Sequence, residues 1–423
     1  MKIFLSHPTG NRNVRAVLDS FGKAGMLAGF NTTIAANAAS PWLKLLPRSL
    51  KQEWLRRSYP SLSAQIRTRP VLELSRILLP KAGLARFTRK ENSLASIDAV
   101  YRDLDKSFAK SLPDILQEQP FDAIYAYEDG AYYTFKMAKH LGLKCIYDLP
   151  IAYWETSRRL LLEESDRLPE WSVTLGGGIE DSSEKLKRKT TELELADIVV
   201  GPGSFVKDSL PAWAMNKTLV MSPFGTPDGY ASSFTAQEAQ NVNRPLRVLF
   251  AGSMGQRKGL GDLFNAVKMF SPKEVELVVL GQPLAPMDFY KSQLKTFTYE
   301  TSRPHHKVLE LMRSCDVFCL PSIVEGRALV MQEAMSQGLP LIITENTGGA
   351  DLVQEGCTGF LVPIRSPEAI AEKISWFLNN RSAISVMGNL ARFHAATYSW
   401  ENYGSSIVKQ ISEKRLPSVY SHV

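Results

Sequence analysis

The stretch Pro321-Ser-Ile-Val-Glu-Gly-Arg-Ala-Leu-Val-Met-Gln-Glu-Ala-Met-Ser-Gln-Gly-Leu-Pro340 contains a strand end, a glycine loop and a helix within twenty residues. The apolar run 316–320 favours a β-strand, and residues 328–337 have the apolar spacing that is typical of a helix. Gly338 follows the helical pattern and is expected to end it. Strand, loop and helix in this order form the repeating unit of a parallel α/β sheet.

Two glutamates lie within this unit. Glu325 falls in the predicted loop and Glu333 in the predicted helix, so at a rise of about 1.5 Å per residue they are at most about 12 Å apart. This is roughly the span of a diphosphate with a sugar at each end. The first amide groups of the helix, from Arg327 to Val330, carry partial positive charge that suits phosphate oxygens. The pattern therefore favours a nucleotide-sugar site, although a helix-terminal charge and a solvated helix face would give the same spacing.

The same stretch resembles the Glu, seven residues, Glu signature of the retaining family 4 glycosyltransferases, also called glycosyl transferases group 1. The similarity extends more loosely from the first predicted strand to the segment 398–400. The resemblance rests on Ser322, Glu325, Gly326, Leu329, Val330, Glu333, Ala334, Gly338 and Pro340.

The resemblance implies a retaining glycosyl transfer on the GT-B architecture, in which two doubly wound Rossmann-like α/β domains face each other across a cleft. Glu325 is expected to bind the transferred sugar and Glu333 the ribose of the nucleotide, while Gly326 lets the backbone approach the ligand. The expected catalytic residues are Glu325, Arg257 and Lys258. The expected donor-binding residues are Gly252, Lys258, Glu325, Gly326, Arg327, Ala328, Leu329, Val330 and Glu333.

The loop between the first strand and the first helix of the second half is Gly252-Ser-Met-Gly-Gln-Arg-Lys-Gly259. It differs from a Walker loop because Lys258 is followed by glycine rather than by Ser or Thr. It resembles the family's phosphate loop, with Arg257, Lys258 and Gly259 retained and Ser253 in place of the first arginine. Lys258 is the expected diphosphate contact.

Alternating strand and helix patterns divide the chain into two halves. Residues 1–230 are predicted to form an acceptor-side Rossmann-like domain with a basic helical insertion at about 43–92. Residues 245–397 are predicted to form the nucleotide-sugar-binding domain, after a linker within 223–244. Residues 398–423 are predicted to form a helix, which in this family commonly crosses back to the first domain.

The acceptor side is expected near the first strand and the end of a later one. The loop 7–12 matches the position of the family's glycine-rich turn, and of that turn it keeps Gly10, with Asn11 after it. Asp148 falls at a predicted strand end, where ligands collect in open α/β sheets. The histidine that the family often has near this point is absent from 148–154.

Three departures from the family, the absent histidine among them, keep a non-catalytic function open. Ser253 stands in the phosphate loop, and Asp351 stands where the family usually has Glu. A non-catalytic nucleotide-sugar-binding or scaffold protein of glycan assembly is one alternative, and a sugar-nucleotide epimerase on the same architecture is another. The expected partners are a nucleotide sugar, as co-substrate rather than cofactor, and a glycan or lipid-linked acceptor.

Basic residues are concentrated in one segment. Residues 44–90 contain twelve Lys or Arg and two Glu, a net charge of +10, whereas the whole chain carries +7. Leu and Trp residues are interleaved with these cations, which is typical of helices that bind anionic membrane surfaces. A solvated basic face is the alternative, and nucleic acid is not expected because aromatic stacking platforms are absent.

Other features favour a cytoplasmic, metal-independent protein, and the basic segment adds peripheral binding at the inner membrane face as an expectation. The chain opens on a strand pattern and no run reaches the roughly 20 apolar residues of a membrane span, so neither a signal peptide nor an anchor is expected. Asp103 and Asp105 spell a metal-binding Asp-x-Asp, but their amphipathic helical context favours surface charge. The cysteines lack zinc-ligand partners and favour buried thiols in a reducing compartment: Cys145, Cys315, Cys319 and Cys357.

Overall fold

The computed structural model describes residues 1–37, 51, 54–60, 62, 64–227 and 244–413, which form two α/β domains around two parallel sheets. The first sheet has the spatial order β3-β2-β1-β4-β5-β6-β7. Its strands are β1 (Ile3–Ser6), β2 (Leu27–Thr32), β3 (Gln65–Thr68), β4 (Ala123–Tyr127), β5 (Lys144–Asp148), β6 (Ile198–Gly201) and β7 (Thr218–Met221).

Helices cover both faces of this sheet. Side chains alternate across a strand, so Ile3 and Leu5 enter one apolar cluster while Phe4 enters the other. The helices are α1 (Arg12–Lys23), α2 (Pro70–Lys81), α3 (Ile97–Glu118), α4 (Tyr132–His140), α5 (Trp154–Arg167), α6 (Ser183–Leu195) and α7 (Ser204–Asp208).

The second sheet has the order β10-β9-β8-β11-β12-β13 and surrounds its own apolar core. Its strands are β8 (Leu246–Ala251), β9 (Val275–Leu280), β10 (Thr298–Glu300), β11 (Val317–Leu320), β12 (Leu341–Ile343) and β13 (Gly359–Leu361). The helices that follow are α8 (Leu260–Val267), α9 (Met287–Gln293), α10 (His305–Arg313), α11 (Leu329–Ser336), α12 (Pro367–Asn379), α13 (Arg381–Ala396) and α14 (Trp400–Glu413).

In both sheets the strand order reverses beside the first strand of the domain. β1 pairs in parallel with β2 on one side and β4 on the other, and β8 likewise pairs with β9 and β11. The carboxyl ends of the strands at such a reversal leave a crevice in which ligands bind. The prediction of two doubly wound domains is confirmed, and their crevices are where a site is expected.

The basic segment differs from the prediction of a helical insertion at 43–92. Gln65–Thr68 forms the edge strand β3, which pairs in parallel with β2 at Gly29–Thr32. The prediction is wrong for these residues because it was drawn from the basic and apolar composition of the whole segment, whereas the backbone of these four residues completes the sheet. Much of the predicted insertion and linker, residues 38–50, 52–53, 61, 63 and 228–243, lies outside the described residues.

The helix α14 returns from the second domain and packs against α1 of the first. Tyr403, Ile407 and Ile411 are buried in the apolar cluster that contains β1. Gly404 lies so close to α1 that a Cβ there would come within 2.1 Å of the Ser20 hydroxyl oxygen. The last described helix therefore belongs structurally to the first domain. None of the described helices is long and apolar enough to cross a membrane.

Candidate active site

A cavity of about 660 Å³ lies between the two domains, at the carboxyl ends of the central strands. The starts of two helices line it, α1 from the first domain and α11 from the second. No side chain caps either helix start, so their first amide groups are available to a ligand. The lining residues discussed below are Asn11, Arg12, Asn13, Pro150, Gly252, Ser253, Lys258, Leu280, Gly281, Gln282, Ser302, Arg303, Glu325, Arg327, Ala328, Leu329 and Val330.

The loop from Gly252 to Gly259 places Lys258 at this cavity, with Arg257 next to it in the chain and bonded to Glu325. Its last residues form a 3-10 turn, Gln256–Lys258, that Gly259 ends with a left-handed backbone (φ +72°). A Cβ on Gly259 would come within 1.9 Å of the Pro321 carbonyl oxygen. Only glycine fits, because both the positive φ and the contact with the β11 loop exclude a side chain.

Glu325 lies between the two cations. Arg257 Nη1 donates to Glu325 Oε1 at 2.7 Å, and Lys258 Nζ forms an ion pair with the same oxygen. Burial alone would raise the pKa of Glu325, but the charges of Lys258 and Arg257 outweigh burial and hold that pKa below its usual range. Glu325 is therefore an anion that neutralises part of a cationic loop.

Burial and the neighbouring carboxylate have opposite effects on the pKa of Lys258. Burial lowers the pKa of Lys258, Glu325 offsets this in part, and the nearby Arg257 lowers the pKa further. A second anion beside Lys258 would stabilise its charged form, because an opposite charge within a few ångströms favours ionisation. Together with the start of α11, the loop forms a site suited to a phosphate group.

Residues 233–394 match the family model described as Glycosyl transferases group 1. The second domain is a glycosyl transferases group 1 domain. The match covers the phosphate loop, both glutamates and α10 to α13. The resemblance drawn from the sequence is thereby confirmed at the level of the group, and the group name is used for this domain below.

Curated relatives of the group 1 domain include glycosyltransferases of several kinds. The D-inositol 3-phosphate glycosyltransferase of Corynebacterium urealyticum is 34% identical over 199 residues, 44% of this chain and 47% of that protein. The alpha-maltose-1-phosphate synthase of Mycolicibacterium smegmatis is 28% identical over 210 residues, covering 44% and 53%. The chain spans about half the length of the curated relatives it matches.

Solved structures extend the likeness in fold to both domains. Sucrose-phosphate synthase from Thermosynechococcus elongatus aligns with a TM-score of 0.64 at 15% identity, covering 98% of each chain. Anabaena HepE in complex with UDP and glucose aligns with a TM-score of 0.59 at 14% identity, covering 98% of this chain and all of that one. The architecture is GT-B, as predicted.

Arg327 has a structural partner within the group 1 domain. Its side chain is fully buried, with Nη1 2.6 Å from Asp351 Oδ1 and 3.1 Å from the Gly348 carbonyl oxygen. The guanidinium also lies over the ring of Tyr398, 5.0 Å from its centroid. Arg327 was predicted to bind the donor through its backbone, and its guanidinium is already bound. Asp351, which replaces the usual Glu, supplies the counter-ion.

Gly326 is required by a contact between the two domains. A Cβ at this position would come within 1.7 Å of the Pro150 carbonyl oxygen, which belongs to the first domain. The glycine therefore allows the loop of the group 1 domain to touch the loop after β5. The prediction that Gly326 also lets the backbone approach the donor stays a prediction.

Glu333 lies one turn into α11 and faces α10. Its Oε1 is 3.2 Å from His305 Nε2, and the carboxylate is partly exposed. Glu333 does not line the cavity, whereas Val330, three residues before it, does. The two glutamates are thus at different places: Glu325 lines the cavity from the loop before α11, and Glu333 lies within α11 outside the cavity lining.

The acceptor-side residues separate into accessible and buried ones. Asn11 lines the cavity, and Gly10 lies behind it against Tyr59. Asp148, at the end of β5, is 2% exposed and does not line the cavity. Burial raises the pKa of Asp148 to about 7, so it holds a proton over much of the neutral range. Of the three, Asn11 alone is in contact with the cavity.

The sequence analysis missed several residues that line the cavity. Arg12 and Asn13 belong to the first turn of α1. Leu280 is the last residue of β9, and Gly281 and Gln282 follow it beside the strand reversal. Ser302 and Arg303 follow β10. The sequence could have indicated Leu280–Gln282, because these residues lie at the end of the second apolar run of the domain. The carboxyl ends of such strands are where side chains reach the crevice.

Two predictions away from the cavity are wrong. Asp105 is buried, and its carboxylate accepts from the amides of Tyr133 and Thr134 at 2.8 Å, so it caps α4 instead of being surface charge. Cys357 is exposed, unlike the other three cysteines. Within the described ranges, no group of three or more His, Cys, Asp or Glu side chains could hold a metal ion.

Proposed function

We propose that the protein is a retaining glycosyltransferase that moves a sugar from a nucleotide sugar to a glycan or lipid-linked acceptor. The observation that carries the proposal is the cluster of Glu325, Arg257 and Lys258 at an interdomain cavity in a group 1 domain. Cations beside an uncapped helix start suit the diphosphate of such a donor, and a buried carboxylate beside them suits sugar hydroxyls.

The donor is oriented by the order of these groups along the cavity. The diphosphate lies against Lys258, Arg257 and the start of α11, and the sugar lies against Glu325. The ribose lies toward Glu333 at the margin, which leaves Leu280–Gln282 and Ser302–Arg303 for the base. The acceptor enters from the first-domain side, where Asn11 and the start of α1 line the cavity.

The chemical step replaces one bond at the anomeric carbon by another on the same face. An acceptor hydroxyl oxygen bonds to the anomeric carbon as the bond to the diphosphate oxygen breaks, and the hydroxyl proton passes to the departing diphosphate. Lys258 and Arg257 stabilise the negative charge that develops on that leaving group. Such preorganised electrostatic stabilisation is usually the largest contribution to catalysis. The step requires no metal, because two cations and a helix start already face the phosphate.

The relatives guide the choice of ligands. The Anabaena HepE structures contain UDP, UDP-glucose, or UDP and glucose, so uridine diphosphate sugars are the first donors to test. Relatives are named for an inositol phosphate acceptor and for colanic acid biosynthesis, which supports a precursor of a surface polysaccharide or glycolipid as acceptor.

A screen of nucleotide sugars by thermal shift, followed by donor turnover without acceptor, tests the proposal. A transferase releases nucleoside diphosphate slowly from its preferred donor, and Lys258→Ala abolishes this release. A non-catalytic binder is stabilised by the donor and releases nothing, while an epimerase converts the sugar and keeps the nucleotide attached. The matched control is Lys268→Ala, an exposed lysine of the same domain.

We also propose that the basic segment holds the protein at the cytoplasmic face of an anionic membrane. In its described part, Val71 and Leu78 of α2 are exposed, with 67% and 48% of their surfaces accessible. Arg86, Arg89 and Lys90 follow them and are exposed as well. Apolar side chains beside cations suit an anionic lipid surface, where each cation contributes about 1 kcal/mol.

Charge removal tests the membrane proposal without disturbing β3. Replacing Arg86, Arg89 and Lys90 by Ser is expected to weaken co-sedimentation with phosphatidylglycerol vesicles about a hundredfold, since three cations contribute about 3 kcal/mol. The effect shrinks at high salt. The control replaces three exposed lysines of the second domain by Ser: Lys268, Lys291 and Lys295. Equal binding by both triple variants would show that the basic segment does not contact the membrane.

A further inference from the structure

The segment that follows β5 leaves the first domain and lies on the second. We call residues 154–174 the strap; it comprises α5 and the 3-10 helix Pro169–Thr174. Trp171 is 2% exposed and lies in the apolar core of the second domain. Its ring packs edge-on against Phe264, Phe289 and Tyr290, with centroids 5.0 to 6.0 Å apart. The strap is therefore anchored in the domain that carries the phosphate loop.

The strap binds that loop at Gln256, the residue before the two cations. The backbone amide of Gln256 donates to Thr174 Oγ1 at 3.0 Å. Its side-chain Nε2 donates to Glu164 Oε2 and to Asp262 Oδ2, both at 2.8 Å. Its Oε1 accepts from the Gly261 amide at 2.9 Å, so the fully buried amide side chain has partners at both ends.

Buried charges hold the strap in this position. Glu164 is fully buried, and Arg167 Nη2 contacts Glu164 at 2.7 Å and Asp262 at 2.8 Å. Arg365 pairs with Glu164 from the loop after β13. Burial would raise the pKa of Glu164, but bonds from Arg167, Gln256 and Arg365 hold it below the usual value. Breaking one such buried partner leaves another charge unsatisfied, which makes the arrangement specific.

The contact leaves little freedom in the loop. A Cβ on Gly255 would come within 2.7 Å of the Thr174 carbonyl oxygen. On the other side, the Arg257 carbonyl accepts from the Ile323 amide at 2.9 Å, which fixes the loop to the segment that bears Glu325. Gln256 is thus bonded to the strap on one side, and the next residue is bonded to the β11 loop on the other.

We propose that Thr174 and Glu164 are positioning residues that orient Arg257 and Lys258 toward the diphosphate through Gln256. A segment that precedes the second domain in the chain thereby sets the cations of the site, although neither residue touches the donor. The proposal rests on the proposed function, because it assigns the loop's cations to a diphosphate. Its signature is a selective loss of binding to the terminal phosphate of the nucleotide.

The experiment compares Thr174→Val with Thr174→Ser. Valine has nearly the same volume but removes the acceptor for the Gln256 amide, whereas serine keeps the hydroxyl. The probe is whichever of UDP, ADP, GDP, CDP or dTDP binds the wild-type protein most tightly by calorimetry, together with its monophosphate. In Thr174→Val we expect the diphosphate to bind about tenfold more weakly relative to the monophosphate, and kcat to fall by a similar factor. Thr174→Ser is expected to restore both.

Thr156→Val is the matched control, because Thr156 lies in the same strap and bonds to the Ser209 carbonyl of the first domain at 2.9 Å. Gln256→Met is the second variant if Thr174→Val is unstable, since it keeps the side-chain volume, removes the side-chain bond to Glu164 and leaves the backbone bond to Thr174 in place. An unchanged ratio of diphosphate to monophosphate affinity in a folded variant would overturn the positioning role. If no diphosphate binds the wild-type protein, the proposed function fails and the positioning role fails with it.

Discussion

The two domains have the same strand reversal but different polar chemistry at the carboxyl ends of their central strands. In the first domain, His7 after β1 and Asp148 at the end of β5 are both buried. In the second domain, Lys258 and Glu325 follow β8 and β11 and line the cavity with their charges. The same topology therefore places buried polar side chains at these strand ends of the first domain. In the second domain it places charged side chains that line the cavity.

Burial acts on these groups in a way that sharpens the contrast. Burial lowers the pKa of His7 to about 3, and its Nδ1 accepts from the amides of Thr9 and Gly10, so the ring is neutral. Burial likewise favours the neutral form of Asp148, whose pKa is about 7. Glu325 keeps its charge because Lys258 and Arg257 lie beside it. Burial therefore favours the neutral forms of His7 and Asp148 in the first domain, whereas Glu325 keeps its charge in the second.

If the second crevice carries the chemistry, Lys258→Ala has the largest effect. Removing a preorganised cation from the departing diphosphate is expected to lower kcat by about 10²–10³, equivalent to about 3 to 4 kcal/mol. Donor turnover at saturating donor measures this loss. The exposed-lysine variant Lys268→Ala is expected to keep wild-type kcat, and a similar loss in both would mean that Lys258 does not face the leaving group.

The two glutamates, Glu325 in the loop before α11 and Glu333 within α11, have different proposed roles, and their variants should fail differently. Glu325→Ala is expected to lower kcat by about a hundredfold, because the sugar is oriented chiefly in the transition state. It should spare nucleoside diphosphate binding, since it removes an anion beside the two cations. Glu333→Ala is expected to raise KM and to weaken the nucleoside diphosphate by about 1 to 3 kcal/mol.

Calorimetry with the nucleoside diphosphate, beside donor kinetics, separates these two glutamates. Equal losses of product affinity in both variants would place Glu325 away from the sugar. The donor orientation proposed above would then be abandoned.

In the first crevice, Asp148→Asn is expected to change stability with pH. The folded-state pKa of about 7 exceeds the unfolded value of about 3.9, so the folded state binds more protons and stability falls as pH rises between them. Asparagine cannot ionise, so it should raise the free energy of unfolding by about 2 kcal/mol more at pH 7.5 than at pH 5. Urea unfolding at the two pH values measures this. A pH-independent difference would show that Asp148 is already charged in the folded state.

The smallest expected effect is that of metal removal. In the proposed donor orientation the phosphate lies against Lys258, Arg257 and the start of α11, so activity in excess chelator is expected to equal the untreated rate. Loss of activity in chelator that is restored by adding magnesium or manganese would contradict this. It would show that a metal ion stabilises the phosphate charge in the second crevice.

The sequence predicted those parts of the fold in which local pattern and tertiary contact agree. The strand Lys144–Asp148 and the loop carrying Arg257 and Lys258 follow from apolar runs and glycine positions alone. Asp105 was misread because an acidic residue on an amphipathic helix resembles surface charge until its capping partner, 28 residues away, is known. β3 was misread because it lies in a segment whose basic and apolar residues together are typical of amphipathic helices.

The strap is the largest part of the site that the sequence did not predict, because its partners also lie far away in the chain. Glu164 bonds to Gln256, Arg167 pairs with Asp262 and Trp171 packs against Phe264, so each partner lies roughly ninety residues later in the chain. The local sequence of residues 154–167 does not indicate which part of the protein they contact. Contacts between domains produce no periodic pattern of apolar residues in the sequence. The positions that orient the cations could therefore not be identified before the fold was known.

The two crossings between the domains have a consequence for how the protein is made. The strap is synthesised before the core that receives Trp171, and the surface of α1 is synthesised long before α14 arrives to cover it. Neither domain can bury all of its apolar surface on its own. During translation, the first domain should therefore present uncovered apolar side chains to the cell until residue 413 has left the ribosome. This period should be when the nascent chain depends most on chaperones.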